Sequence, residues 1–163
     1  MTKHEIIIEG YSHTHAKSIA EHLFEGVPEE VVRSQREELL TLGPDEVFSV
    51  CALSGSQVVG VCTGVRMKWF GSRHRVEMVQ VVVGENHRGR GIAHQMMRKI
   101  AEHFSAGGIE IIQISTESGN EVAIKAYQKI GFIQIGLLKN GLKHDSEYSD
   151  EVMMAAPIES FLI

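Results

Sequence analysis

The feature that most constrains this sequence is a β-type strand that runs into a basic, glycine-rich turn and then into an amphipathic helix. The strand covers residues 75–83, and the turn reads Gly84-Glu85-Asn86-His87-Arg88-Gly89-Arg90-Gly91. After the turn, apolar residues recur at helical spacing, at Ile92, Ala93, Met96, Met97, Ile100, Ala101 and Phe104. This period predicts a helix with one buried face.

The segment that follows this helix completes a larger unit. Gly107-Gly108 is expected to end the helix, and residues 109–114 read as a second apolar strand. A strand, a helix and a strand in this order predict a parallel βαβ unit with a right-handed crossover. The glycine-rich turn is then expected at the carboxyl end of the first strand, beside the helix N-terminus.

The turn has the composition of an anion-binding site. Gly89 and Gly91 allow close approach of the backbone to a ligand, and the free N–H groups of a helix start favour negative charge. Arg88 and Arg90 add positive charge, although either side chain is also compatible with a solvated position. The same composition is found in turns that only reverse the chain. On its own the turn indicates phosphate binding with moderate specificity.

Two common phosphate-binding motifs do not fit. A Walker loop ends in Gly-Lys-Ser or Gly-Lys-Thr, which this turn lacks. A dinucleotide fingerprint requires a third glycine, but Gly89-x-Gly91 is followed by His94 at that position. A diphosphate of another kind remains as the expected ligand.

The other segments predict a mixed α/β fold. Apolar and β-branched runs predict strands at 6–8, 47–53, 57–68, 132–138 and 147–155, with a hairpin turn at Ser54-Gly55-Ser56. Helices are predicted at 13–24, over most of 28–44, and from a capping box at 118–121 to Gly131. The strands before the βαβ unit are expected to be antiparallel.

Composition limits the alternatives. A chain of 163 residues with 43% hydrophobic content fits one domain, taken here as residues 1–163. The N-terminal apolar run 6–8 is too short for a signal peptide, and no run reaches the ~20 residues of a membrane span. Cys51 and Cys62 lie in strand-like segments, which favours buried free thiols and a cytoplasmic location.

Charge and ligand spacing argue against several partners. The net charge of −5 and the dispersed basic residues give no broad basic face for nucleic acid. The nine histidines are scattered, and no Cys-x-x-Cys or His-Glu-x-x-His occurs, so we expect no metal. No membrane partner is expected either.

Several spacings together resemble a known family. Arg88-x-x-Gly91-x-Ala93 resembles the acetyl-CoA pyrophosphate signature of the GNAT superfamily of N-acetyltransferases. Asn120-x-x-Ala123-x-x-x-Tyr127-x-Lys129-x-Gly131-Phe132 is similar to the later helix of that family, and Tyr148-x-Asp150 resembles part of its final strand. The resemblance covers the chain from about residue 79 onward. It implies a GNAT-like fold, in which a central mixed sheet of about seven strands is flanked by about four helices.

The resemblance also implies site residues. The pyrophosphate of acetyl-CoA would rest on the backbone of the loop, here Arg88, Gly89, Arg90, Gly91, Ile92 and Ala93. The pantetheine would pair with the preceding strand, here Val81, Val82 and Val83. Asn120 would contact the cofactor, although a helix N-terminal role explains it nearly as well. Acetyl-CoA is the only cofactor implied.

Two residues are candidates for proton transfer. Tyr127 stands where the family carries a tyrosine, so it is expected to protonate the departing sulfur, although a tyrosine packed against the sheet is the plain alternative. Glu77 shares a face with Val79, Val81 and Val83 if the strand is regular, and would then relay the proton of the amine. A solvated glutamate is as good an explanation, and His74 competes for the base role.

The function expected from these observations is transfer of an acetyl group from acetyl-CoA to a primary amine of a small molecule or peptide. The alternative is a non-catalytic acyl-CoA sensor or scaffold of the same fold. Acceptor selection in the family involves segments that correspond here to residues 24–30 and 69–74, and neither carries a pattern that identifies the amine. A homodimer is compatible with the sequence.

Overall fold

The computed structural model describes residues 4–163, so Met1–Lys3 of the predicted N-terminal segment and domain lie outside the described residues. The strands are β1 Ile6–Gly10, β2 Val47–Ser54, β3 Gln57–Arg66, β4 Arg75–Val83, β5 Ile111–Glu117, β6 Ile133–His144 and β7 Glu147–Pro157. The α-helices are α1 Ala16–His22, α2 Glu29–Leu40, α3 Ile92–Ser105, α4 Glu121–Ile130 and α5 Glu159–Leu162.

The strands form one mixed sheet of seven strands in the order β1-β2-β3-β4-β5-β7-β6. Neighbours are antiparallel except for β4 and β5, which are parallel and are connected through α3. The predicted mixed fold and its parallel βαβ unit are therefore confirmed. The glycine-rich turn lies at the carboxyl end of β4, where the unit requires it.

Helices cover the two faces of the sheet with separate apolar clusters. The larger cluster contains the buried face of α3, with Met96, Met97 and Ile100 fully buried. The smaller cluster packs α1 and α2 on the opposite face. Gly64 allows α3 to approach β3 closely, because a Cβ there would lie 2.5 Å from Cγ2 of Ile100. Each large apolar side chain buried in this way contributes about 1.5–3 kcal/mol to stability.

A β-bulge in β4 determines the shape of the sheet centre. Gln80 adopts φ +52°, and the pairing with β3 shifts between Val61 and Thr63, so that β4 has an extra residue there. The side chains of Val76 and Met78 face the larger cluster, and after the bulge Val81 and Val83 face it too. The expectation that Glu77 shares a face with Val81 and Val83 was wrong, because the bulge breaks the two-residue alternation.

Other differences from the predicted elements are local. The strand predicted at 132–138 continues to His144, and α5 was not predicted. The predicted helix at 13–24 begins with a 3₁₀ turn, His13–His15, before α1. The capping box predicted at 118–121 is absent, because Asn120 is the N-cap residue and its side chain accepts a hydrogen bond from the amide of Ala123.

Candidate active site

A cleft of about 310 Å³ opens where β4 and β5 separate. The two strands pair only as far as Met78 and Ile114, after which the bulge directs β4 away from β5. Both the face covered by α1 and α2 and the face covered by α3 and α4 contribute to the cleft. Its lining consists of Glu77, Met78, Val79, Gln80, Val81, Ile114, Ser115, Thr116, Asn120, Tyr127 and Glu151.

The predicted phosphate loop follows β4, the strand whose residues 77–81 line this cleft. Gly89 and Gly91 have φ of +74° and +73°, a conformation that favours glycine. A Cβ at either position would project into open space, with no protein atom within 4 Å. Among residues 4–163, no backbone carbonyl accepts the amides of Gly91, Ile92 or Ala93. The start of α3 therefore presents free donors in an accessible turn, which suits an anionic diphosphate.

The two arginines of the loop take different partners. Nε of Arg88 donates to the carbonyl oxygen of Val83 at 3.0 Å, which ties the loop back to the end of β4. Nη1 of Arg90 lies 3.0 Å from Nδ1 of His87. Both side chains are exposed, so their positive charge is available to an anion at the start of α3.

The end of β4 has an unpaired edge toward the cleft. Val82 and Val83 pair with Val61 and Gly60 of β3 on one side. On the other side, the pairing with β5 has already ended at Met78. An extended ligand with amide groups can therefore add to the free edge of Val81, Val82 and Val83 as a strand would. Of these residues, Val81 lines the cleft itself.

Tyr127 reaches the cleft from α4. It is 8% exposed, and its ring packs against Phe132 with a centroid separation of 5.7 Å. Burial, with a smaller contribution from Cys62, raises the pKa of Tyr127 to about 12. The phenol is therefore protonated at neutral pH, as a proton donor must be.

Asn120 lines the same cleft while capping α4. Its side-chain oxygen accepts the amide of Ala123 at 3.2 Å. The amide nitrogen of the side chain is a separate donor group. Capping and ligand contact are thus compatible roles for this residue.

Two carboxylates line the cleft, Glu77 from β4 and Glu151 from β7, the two strands that flank β5. Burial, and secondly repulsion from Glu151, raises the pKa of Glu77 above its ordinary value. His74, the competing candidate for the base, is not part of the cleft lining. The cleft therefore brings together Glu77, Glu151 and Tyr127, two carboxyl groups and a phenol that are able to accept or donate protons.

Sequence reasoning missed three residues beside the cleft: Gln80, Glu151 and Arg36. Gln80 gave no signal, because a bulge formed by a non-glycine residue has no sequence mark. Glu151 carried a usable signal, because it follows the Tyr148-x-Asp150 motif directly in the last strand. Arg36 also carried a usable sequence signal, because it lies one helical turn after Val32 and so falls on the apolar face of α2.

The two segments implied in acceptor selection differ in character. Glu29, at the start of α2, forms an ion pair with Arg33 one turn later. Trp69 and Phe70, in the connection between β3 and β4, are 78% and 95% exposed. Neither aromatic side chain belongs to a core cluster.

The described residues contain neither a cluster suited to a metal ion nor a helix suited to a membrane. Within residues 4–163, no group of three or more His, Cys, Asp or Glu side chains is arranged to hold a metal ion. None of the helices in the same range is long and apolar enough to cross a membrane. Cys51 and Cys62 are both free and buried, as the sequence predicts.

A mixed sheet that splits between two parallel strands joined through α3 is the fold that the sequence resemblance implies, and comparison with known proteins identifies the family. Residues 13–132 match the model of the Acetyltransferase (GNAT) family, and the chain therefore belongs to that family. The structure is similar to an N-acetyltransferase from Staphylococcus aureus Mu50, with TM-score 0.80, 17% identity and coverage of 94% of this chain and 99% of that chain.

Two further relatives extend this comparison. A Salmonella typhimurium protein described as an acetyltransferase with its cofactor acetyl-CoA has TM-score 0.76 and 16% identity, covering 94% of each chain. An N-acetylaspartate synthetase from Xenopus tropicalis is 30% identical over 97 residues, which is 60% of this chain and 34% of that protein. The match thus spans about a third of the length of that curated relative.

Proposed function

We propose that this protein is an N-acetyltransferase that moves an acetyl group from acetyl-CoA directly to a primary amine of a small molecule or peptide. Residues 1–163 are proposed to form a single catalytic domain. The observation that carries the proposal is the cleft between β4 and β5, which brings Tyr127 and two carboxylates to the gap beside the free edge of β4. Family membership supports the same chemistry.

Acetyl-CoA is proposed to bind along the loop and the free edge of β4. The backbone from Arg88 to Ala93 holds the diphosphate, and the unpaired backbone of residues 81–83 holds the pantetheine. Open space beside Gly89 and Gly91 supports this placement, because a ligand can approach the backbone there. Asn120 is proposed to contact the same ligand from the start of α4.

The chemistry requires proton transfers that the cleft residues can perform. Bound acetyl-CoA supplies the activated acyl group as a thioester. An amine with a pKa of ~10 is neutral only about once in a thousand at pH 7, so its proton must be removed. Glu77 is proposed to accept that proton, directly or through water. Tyr127 is proposed to donate a proton to the departing sulfur.

The environments of these two residues support different roles. Glu77 lies on the face of the sheet that α1 and α2 cover, next to Glu151, so a cationic amine is attracted there. Tyr127 lies on the opposite face, packed against Phe132. A base on the acceptor side and an acid on the cofactor side suit direct transfer between two substrates that meet in the gap.

A non-catalytic acyl-CoA sensor is the competing function. It would keep the phosphate loop but would have no need for a buried, protonated tyrosine in the cleft. The position of Tyr127 in the cleft lining therefore favours the enzyme.

Location and assembly are further proposals. A cytoplasmic location is supported by two buried free thiols in place of a disulfide. A homodimer is supported by β6, an edge strand that exposes the apolar side chains of Ile133, Ile135 and Leu137.

Coenzyme A is expected to bind in the absence of any acceptor, and ATP much more weakly. The free edge of β4 can hold the pantetheine, which ATP lacks. At 100 times its dissociation constant, a ligand adds about 2.7 kcal/mol, which raises the melting temperature of a domain this size by roughly 5–10 °C. Titration calorimetry and thermal melting with each ligand measure this. Absence of CoA binding at millimolar concentration would reject the proposed function.

Gly91→Val is expected to weaken CoA binding by at least about tenfold, because the new side chain projects into the space proposed for the diphosphate. The positive φ of Gly91 adds strain of about 1–2 kcal/mol. Gly55→Val is the matched control, since Gly55 also has a positive φ and open space but lies in the β2–β3 turn. Calorimetry with CoA on both folded variants separates the effect of backbone strain, which both substitutions introduce, from the effect of blocking the ligand, which only Gly91→Val is expected to cause. Equal CoA affinity in the two variants would place the diphosphate elsewhere.

A further inference from the structure

The buried face of α2 carries one cation, Arg36, which is only 3% exposed. Its Nη1 donates to Oε1 of Gln80 at 2.5 Å, and Gln80 is the bulge residue that lines the cleft. Its Cζ lies 5.8 Å from the ring centroid of Tyr11 and 6.0 Å from that of Phe24. Arg36 is thus held behind the cleft wall, on the face of the sheet that also carries Glu77.

The guanidinium of Arg36 has no counter-ion within the described part of the chain, residues 4–163. Among residues 4–163, its Nε and Nη2 are buried without a hydrogen-bond partner, and so is the hydroxyl of Tyr11. The titratable groups whose charge would affect Arg36 are Cys51, Tyr11 and Cys62. All three are neutral at pH 7, since burial raises the pKa of each. A buried cation without a partner is strongly destabilising, and arginine does not relieve this by losing its proton.

The free nitrogens of Arg36 are the two that suit a carboxylate. The N–H groups of Nε and Nη2 point to the same side of the planar guanidinium, and this edge binds carboxylates through two parallel hydrogen bonds. The unpartnered hydroxyl of Tyr11 is a third donor close to the same group. Three buried donors that find no acceptor within residues 4–163 therefore belong to Arg36 and to Tyr11, whose ring centroid lies 5.8 Å from Cζ of Arg36.

We propose that Arg36 and the Tyr11 hydroxyl bind a carboxylate of the acceptor, so that the acceptor is an amine that also carries a carboxylate. The inference rests on the function proposed above. Glu77 and Glu151 line the same cleft and attract the ammonium end, while Arg36 takes the acidic end. Because the free nitrogens are buried, the ligand reaches them when the side chain of Gln80 or Phe24 rotates aside.

A phosphate group also fits a guanidinium edge, but the cleft favours a carboxylate. Arg36 is the buried cation that is hydrogen-bonded to the cleft residue Gln80, and two carboxylates line the cleft. A phosphate monoester carries close to two negative charges at pH 7 and would be repelled more strongly by Glu77 and Glu151. An acceptor with a single negative charge matches the single guanidinium.

The test compares acceptors that differ only in the carboxylate. Amino acids, among them glycine and β-alanine, are each paired with their carboxamide, and O-phosphoethanolamine supplies a phosphate. Thiol release from acetyl-CoA gives kcat/KM, and melting of the CoA-saturated protein gives binding without turnover. We expect carboxylates to exceed carboxamides and the phosphate by about 10-fold to 100-fold in kcat/KM, and to give the larger melting shift.

Variants test whether Arg36 causes the preference for carboxylates over carboxamides. Arg36→Met is expected to reduce each amino acid to the level of its carboxamide while CoA binding persists. Arg98→Met, on the exposed side of α3, is the control and keeps the preference. If Arg36→Met does not fold, Arg36→Lys and Tyr11→Phe decide, because the first removes the paired donors and the second removes one hydroxyl.

The outcomes separate this inference from the proposed function. Any of three results overturns the role of Arg36. The carboxamides react as well as the amino acids, the preference for carboxylates survives in the Arg36 variants, or the carboxylates give no additional melting shift. A phosphate that surpasses the carboxylates also overturns it. Failure of CoA itself to bind rejects the proposed function instead, and calorimetry with CoA alone detects that case.

Discussion

Replacing Tyr127 by phenylalanine is expected to lower kcat by about 100-fold to 10,000-fold, the usual contribution of a positioned general acid. The ring contact with Phe132 remains, so CoA affinity and the fold are expected to change little. Steady-state kinetics by thiol release and calorimetry with CoA measure the two effects separately. The loss is expected in kcat rather than in KM, because the missing proton is needed only as sulfur departs.

Tyr148→Phe is the matched control for this experiment. This substitution also removes a tyrosine hydroxyl, but Tyr148 is 57% exposed and does not line the cleft. If the free energy of unfolding of Tyr127→Phe falls by more than the ~1 kcal/mol typical of a hydrogen bond while the folded fraction stays fully active, Tyr127 has a structural role. A small loss of kcat in a stable variant assigns the proton to solvent.

Glu77→Gln is expected to lower kcat/KM by a similar factor of about 100 to 10,000, because the amide cannot accept the proton of the amine. Only the deprotonated carboxyl acts as a base, so the wild-type rate falls as the pH drops through the pKa of Glu77. That pKa is raised by burial and by Glu151, which places the acid limb above the pH expected for an ordinary glutamate. The measurement is a pH profile of kcat/KM.

Glu151→Gln tests the assignment of Glu77 as the base. Removing the neighbouring charge lowers the pKa of Glu77, so the acid limb is expected to move to lower pH while most activity remains. Glu117→Gln, in β5 but outside the cleft lining, is expected to leave the profile unchanged. A full loss of activity in Glu151→Gln with an active Glu77→Gln would exchange the roles of the two carboxylates.

The fold followed from the sequence because local signals agreed with each other. The helical period after Ile92 and the glycines at 107–108 specify α3, and the flanking apolar runs specify a parallel pair. The conformation of the glycine-rich turn was predictable because a position that requires a positive φ is usually filled by glycine, which is visible in the sequence. Gly89 and Gly91 both adopt that conformation.

The cleft did not follow from the sequence, because it depends on long-range geometry. Gln80 adopts a positive φ without being glycine, and its bulge changes which face the later valines occupy. The position where β4 and β5 separate is likewise set by the whole sheet. At the end of β6, Lys139-Asn140-Gly141 resembles a turn, yet the strand continues through an irregular register with Asn140 at φ +54°.

Release of free thiol from acetyl-CoA in the presence of a panel of primary amines tests the central claim most directly. The enzyme is expected to release CoA with at least one amine and to form the N-acetyl product in equal amount, identified by mass spectrometry. Tyr127→Phe is run in parallel and is expected to bind CoA but to release far less thiol. Tight CoA binding without thiol release across small amines and peptides would contradict the account and leave the protein as an acyl-CoA sensor.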